Sequence, residues 1–145
     1  VLMPAPGLVS EHSVKEALVR DGAIREVMAV WDEVTDAVVG IGGLEPSPLL
    51  QRSQNGVTSD ERERLRALGA VGDICFRYFD EAGSPLPSDL DARVMGITAA
   101  QFLAIPRRIG VAGGTHKVEA VRGAARGGWI NVLITDLSLA QALIT

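Results

Sequence analysis

Residues Arg107-Arg108-Ile109-Gly110-Val111-Ala112-Gly113-Gly114-Thr115-His116-Lys117-Val118-Glu119-Ala120 decide the fold class. The first six are dominated by apolar and β-branched residues and predict a strand. Gly113-Gly114-Thr115 predicts a tight loop, and residues 116–126 predict a helix that Gly127-Gly128 ends. A strand that passes through glycines straight into a helix is the building unit of an α/β sheet.

Reading outward, the same unit recurs. Ile130-Asn131-Val132-Leu133-Ile134 predicts the next strand, and Asp136 is placed to cap a last helix through Ile144. Upstream, Ala37-Val38-Val39-Gly40-Ile41 is a short continuous apolar run, which predicts a strand buried on both faces. It ends in Gly42-Gly43 and a loop punctuated by Pro46 and Pro48. Residues 58–68 predict a helix opened by the capping box Thr58-x-x-Glu61 and ended by Gly69. Residues 70–79 read as a strand, 80–83 as a turn and 93–97 as another strand. Thr98 then caps a short helix through Ile105, stopped by Pro106. Near the start, residues 10–20 predict a helix with a Ser13-x-x-Glu16 capping box, and Asp21 caps a second over 23–31. Alternating apolar strands and helices predict an α/β sheet covered by helices on both faces.

The 145 residues make one domain of ordinary size. With 47% hydrophobic residues but only 4% aromatic, its core must be aliphatic, and the composition excludes a disordered tail or a disulfide scaffold. Net charge is −4, so there is no basic excess to neutralise nucleic-acid phosphates. Arg62, Arg64 and Arg66 alternate with Glu61 and Glu63 and read as a solvated helix face. The single cysteine, Cys75, cannot pair internally and reads as a packed thiol in a reducing compartment. No run approaches a membrane span of about 20 apolar residues, and the opening Val1-Leu2-Met3-Pro4-Ala5-Pro6 is unlike a signal peptide. A soluble cytoplasmic domain is expected. Val1 in place of Met, and the apolar run that Thr145 closes, read as cut ends.

Ligands of open α/β sheets bind outside the carboxyl ends of the strands. Three such ends carry loop chemistry here: Gly42-Gly43, Gly113-Gly114-Thr115 and Thr135-Asp136. The second has two readings. It is an anion cradle, with glycine backbone N–H groups, a helix N-terminus and Lys117 as a point charge, or it is a plain turn beside a surface lysine. It matches neither dinucleotide nor P-loop glycine patterns. Asp136 reads as a helix cap or as an acceptor for sugar hydroxyls. Asp73, early in an otherwise apolar strand, reads as a ligand-facing carboxylate or as an exposed strand edge. His12 and His116 have no partners at metal spacing, and no nucleophile arrangement or cofactor motif is present, so no metal, cofactor or catalytic residue is expected.

The stretches 69–79 (GAVGDICFRYF), 90–97 (LDARVMGI) and 105–120 (IPRRIGVAGGTHKVEA), with Val38 to Leu44, Ser47-Pro48-Leu49-Leu50 and Leu133-Ile134-Thr135-Asp136 in the same order, resemble the sugar-binding effector domain of SorC/DeoR-type bacterial transcriptional regulators. The resemblance implies a Rossmann-like three-layer sheet related to sugar-phosphate isomerases and deaminases. It also implies an effector domain that binds a phosphorylated sugar, controls operator affinity and forms homo-oligomers. Carried over, Gly113, Gly114, Thr115 and Lys117 would hold the phosphate, Asp73 and Asp136 would face sugar hydroxyls, and Gly42 and Gly43 would line the crevice. Arg93 matches a family position of ligand-binding or structural role, and Phe76 stands where many members have a smaller residue. The helix-turn-helix, through which DNA would be contacted, is expected to lie outside this chain, residues 1–145 being most of one effector domain. Two rival expectations are a sugar-phosphate isomerase or deaminase, with Asp73 or Asp136 as general base, and an oligomerisation module.

Overall fold

The computed structural model describes residues 1–45 and 56–145; the loop expected around Pro46 and Pro48 and the match at residues 47–50 lie outside these. The elements run α1 His12–Leu18, α2 Gly22–Ala29, a 3-10 turn Trp31–Glu33, β1 Asp36–Gly40, α3 Ser59–Ala67, β2 Ala70–Ile74 and β3 Arg77–Asp80. There follow a 3-10 turn Asp89–Ala92, α4 Ala99–Ala104, β4 Arg107–Ala112, a 3-10 turn Thr115–Lys117, α5 Val118–Arg126, β5 Val132–Thr135 and α6 Leu137–Ile144. The protein is α/β, a parallel sheet flanked by helices. Strands pair in the order β1-β4-β5, with Val38 beside Ile109 and Val111 beside Ile134.

Helix starts follow their caps. Thr58 and Thr98 each form a capping box, with Glu61 and Gln101 respectively. Asp21 accepts the Ala23 N–H and Asp136 that of Leu139. The Ser13-x-x-Glu16 box is corrected: α1 starts one residue earlier, at His12, no side chain caps it, and the Ser13 hydroxyl turns back to Glu11.

The main core lies under one face of the sheet. Ala37, Val39, Ala112 and Leu133 from the strands meet Phe102 of α4, Ala120, Val121 and Ala124 of α5, and Leu139 of α6. Trp129 fills its centre, fully buried, with ring centroids 5.1 Å from Phe79 and 6.0 Å from Phe102. Its indole N–H donates to the Gly83 carbonyl at 2.8 Å. Trp129→Phe is therefore expected to cost about 2–4 kcal/mol, from lost volume and an orphaned carbonyl, measured as a lower urea midpoint.

The opposite face is bare. Val38, Val111, Val132 and Ile134 are 68%, 43%, 37% and 55% exposed, so β1 is not buried on both faces as expected. A four- to six-residue apolar run does not reveal which of its faces is covered.

Two further strand expectations are corrected. Residues 70–79 are not one strand but an antiparallel hairpin, β2-β3, forming its own two-stranded sheet. Its two-residue turn, Cys75-Phe76, has both φ angles positive, 53° and 60°. Residues 93–97 make no strand beyond a single bridge of Val94 to Leu8. The carbonyls of Gly96 and Ile97 instead accept from the buried Arg77 guanidinium, at 3.1 and 2.9 Å, which also pairs with Asp91. The expected turn at 80–83 is present, closed by Gly83 N–H to the Asp80 carbonyl. The last strand starts two residues later than expected. Among the described residues no helix is long and apolar enough to cross a membrane.

Candidate functional site

The β2-β3 hairpin is pinned to the carboxyl end of β1 by a reciprocal pair of backbone hydrogen bonds. Gly42 N–H donates to the Asp73 carbonyl at 2.9 Å, and Asp73 N–H to the Gly42 carbonyl at 3.1 Å. The approach requires glycine: a Cβ on residue 42 would lie 1.8 Å from Asp73 Oδ1. Thus a sequence separation of some thirty residues closes into one contact, and Asp73 is carried into the crevice beside the sheet.

Lys117 arrives there from the other side. Its 3-10 turn follows β4, and its Nζ lies 3.8 Å from where a Cβ on Gly43 would stand. Gly42, Gly43, Asp73 and Lys117 therefore form one cluster. Asp73 is titrationally unusual: burial pushes its carboxyl up to about 6, against the Phe76 N–H (3.1 Å to Oδ2) and the positive charge of Lys117, which both pull it down. Such a group sits between hydroxyl acceptor and hydroxyl donor near neutral pH.

Gly113, Gly114 and Asp136 form a second cluster. Gly114 has φ +86°, and its N–H donates to Asp136 Oδ2 at 2.6 Å, while Asp136 Oδ1 caps α6 through Leu139. Those hydrogen bonds, Leu139's first, hold the exposed Asp136 carboxyl below its usual range. The two clusters are joined through one turn, since Lys117 N–H donates to the Gly114 carbonyl at 3.0 Å and Thr115 opens the turn between them. Two backbone donors expected to be open to an anion, those of Gly114 and Lys117, are thus occupied within the loop, and the Lys117 ammonium is the cation it presents.

Other expectations resolve as follows. Arg93 pairs with Glu61 of α3 and donates to the Ser10 carbonyl, a tether between segments distant in the chain. Cys75 is exposed at the hairpin tip and not a packed thiol, because the left-handed turn carries it outward. Sequence reasoning passed over Thr135, whose hydroxyl is buried without a partner at the carboxyl end of β5; an unpaired hydroxyl between an apolar strand and Asp136 was the available signal.

Fold and crevice together define an α/β ligand-binding domain. The family model that matches, over residues 1–145, describes a sugar-binding domain, and the chain belongs to this sugar-binding domain family of SorC/DeoR-type transcriptional regulators. It is 35% identical over 96% of its length to the uncharacterized transcriptional regulator YjhU of Escherichia coli, covering 42% of that protein. It is 32% identical over 99% of its length to the transcriptional regulator LsrR of Klebsiella pneumoniae, covering 45%. The full-length sorbitol operon regulator SorC of Klebsiella pneumoniae superposes on 97% of the chain with a TM-score of 0.86 at 26% identity, and 45% of that structure is covered. The chain thus spans less than half the length of these relatives.

Proposed function

We propose that this domain binds a phosphorylated sugar as the effector of a transcriptional regulator, without turning it over. The observation that carries the reading is the Lys117 ammonium over Gly43 beside the buried Asp73 carboxyl, a cation for a phosphate next to an acceptor for hydroxyls. Gly113, Gly114, Thr115 and Asp136 shape the loop that presents Lys117. Operator contact belongs to a further, helix-turn-helix domain, residues 1–145 being most of one effector domain; the regulator is cytoplasmic and acts as a homo-oligomer. The names of the relatives, all regulators, support binding over catalysis.

A panel of sugar phosphates tests this by thermal shift. At a ligand concentration of 100 Kd the native state gains about 2.7 kcal/mol, which raises Tm by roughly 5–10 °C. Lys117→Ala is expected to abolish that rise while leaving the unliganded Tm nearly unchanged. A rise that survives Lys117→Ala would place the phosphate elsewhere.

A second reading rests on Asp73, whose carboxyl near 6 suits a general base. Turnover of a sugar phosphate by the chain, abolished in Asp73→Asn, would favour an isomerase or deaminase over an effector domain.

A further inference from the structure

Beside the hairpin tip lies an apolar cavity of about 390 Å³, walled by Trp31, Val39, Phe76, Met95 and Ile97 and floored by the core residue Phe102. No charged side chain lines it. Its size falls within the range of small-ligand pockets. Val39 forms part of its wall and stands three residues before Gly42 on the same chain, roughly 10 Å at the rise of a strand. The cavity and the Lys117–Asp73 cluster are therefore a sugar's length apart.

The partition between them is Cys75-Phe76. Both residues hold left-handed backbone that favours glycine, and two such residues in succession, one of them a bulky aromatic, form an outlier. Two contacts hold Phe76 there. Its N–H donates to Asp73 Oδ2, and its ring fits against Gly7, where a Cβ would come within 3.1 Å of Phe76 Cε2. The same backbone position thus fixes the carboxylate on one side and supplies an aromatic wall to the apolar cavity on the other.

We propose that Phe76 is a specificity-determining residue, and that the ligand is a phosphorylated sugar whose end remote from the phosphate is apolar, a methyl or deoxy terminus seated in this cavity. The inference rests on the effector reading above. A hydroxyl in that position would lose water without gaining a partner, whereas a methyl group loses nothing. An apolar pocket rejects an added hydroxyl by roughly 10- to 100-fold.

The test titrates two matched pairs by calorimetry: 6-deoxyglucose 1-phosphate against glucose 1-phosphate, and 5-deoxyribose 1-phosphate against ribose 1-phosphate. The chain is expected to prefer the deoxy member of at least one pair by about tenfold or more. Phe76→Gly relieves the backbone, so its Tm should stay within a few degrees, while the preference collapses toward one. Lys117→Ala should weaken both members of a pair alike and leave their ratio intact. Binding of both members with equal affinity, or a preference unchanged in Phe76→Gly, overturns this inference and leaves the effector reading standing. Equal weakening of both members in Phe76→Gly marks the ring as a structural support only and also overturns it. Binding of neither pair, together with no response to the wider sugar-phosphate panel, overturns both.

Discussion

Asp73→Asn is expected to make the protein more stable at pH 7, by up to about 3 kcal/mol, while removing its affinity for effector. The carboxyl stands near 6 in the folded protein, against about 3.9 in an unfolded chain. Below pH 4 it is protonated in both states and costs nothing. As pH rises from about 4 through 6 the unfolded chain loses its proton first, so wild-type stability falls, and above 6 the full cost of two pH units is incurred. Asparagine stays neutral throughout and can still accept the Phe76 N–H. Urea melts at pH 4.5 and pH 7 check this: the wild type should lose stability between the two relative to Asp73→Asn. Parallel pH dependence in the two proteins would show that Asp73 ionises freely. The cost is borne next to Lys117 and beside a turn in left-handed backbone, so unfavourable local terms gather at one place in the fold, where binding can offset them.

The second large effect concerns packing. Gly83→Ala is expected to destabilise by more than about 4 kcal/mol, lowering Tm by 10 °C or more or preventing folding. Gly83 has φ +83°, and a Cβ there would lie 2.3 Å from the Gly123 carbonyl oxygen and from Gly127 N and Cα. All three are backbone atoms of α5 and its C-terminus, which cannot swing aside. The contact seats the hairpin's far end against α5 and aligns the Gly83 carbonyl for the Trp129 indole. Gly22→Ala is the control, because nothing stands within 4 Å of its Cβ position at the start of α2. It should be neutral or stabilise by up to about 1 kcal/mol. Comparable losses in the two variants would mean that the close approach at Gly83 does not govern stability.

The parts of the fold written in local chemistry were readable. Thr58 and Thr98 with their capping partners, Asp21 and Asp136 mark helix starts within a residue or two, since a cap acts over three positions. What failed depends on distant partners. The hairpin turn at Cys75-Phe76 lacks the Asn-Gly or Gly signature that such turns usually carry, because Asp73 and the ring contact with Gly7 hold it. Residues 93–97 look strand-like, but their carbonyls are claimed by Arg77, some twenty residues earlier. At the site, the glycine loop and Lys117 were legible from spacing. The meeting of Gly42 with Asp73 was not, because nothing local couples β1 to the hairpin, and the pairing rested on family resemblance alone. Nor did spacing show that Asp136 would take up the Gly114 N–H.

The strand order β1-β4-β5 carries a consequence for where the crevice opens. Right-handed crossovers that always step in one direction deposit every connecting helix on the same side of a sheet. Here each step runs away from β1, so α4, α5 and α6 all crowd the side of Ala37 and Val39. A helix over Val38 and Val111 could be delivered only by winding the opposite way, from the free edge of β1. A sheet wound both ways reverses at the strand where the two directions part, and the gap left by diverging crossovers opens at that strand's carboxyl end. For this sheet that strand is β1, and its carboxyl end leads directly to Gly42 and Gly43.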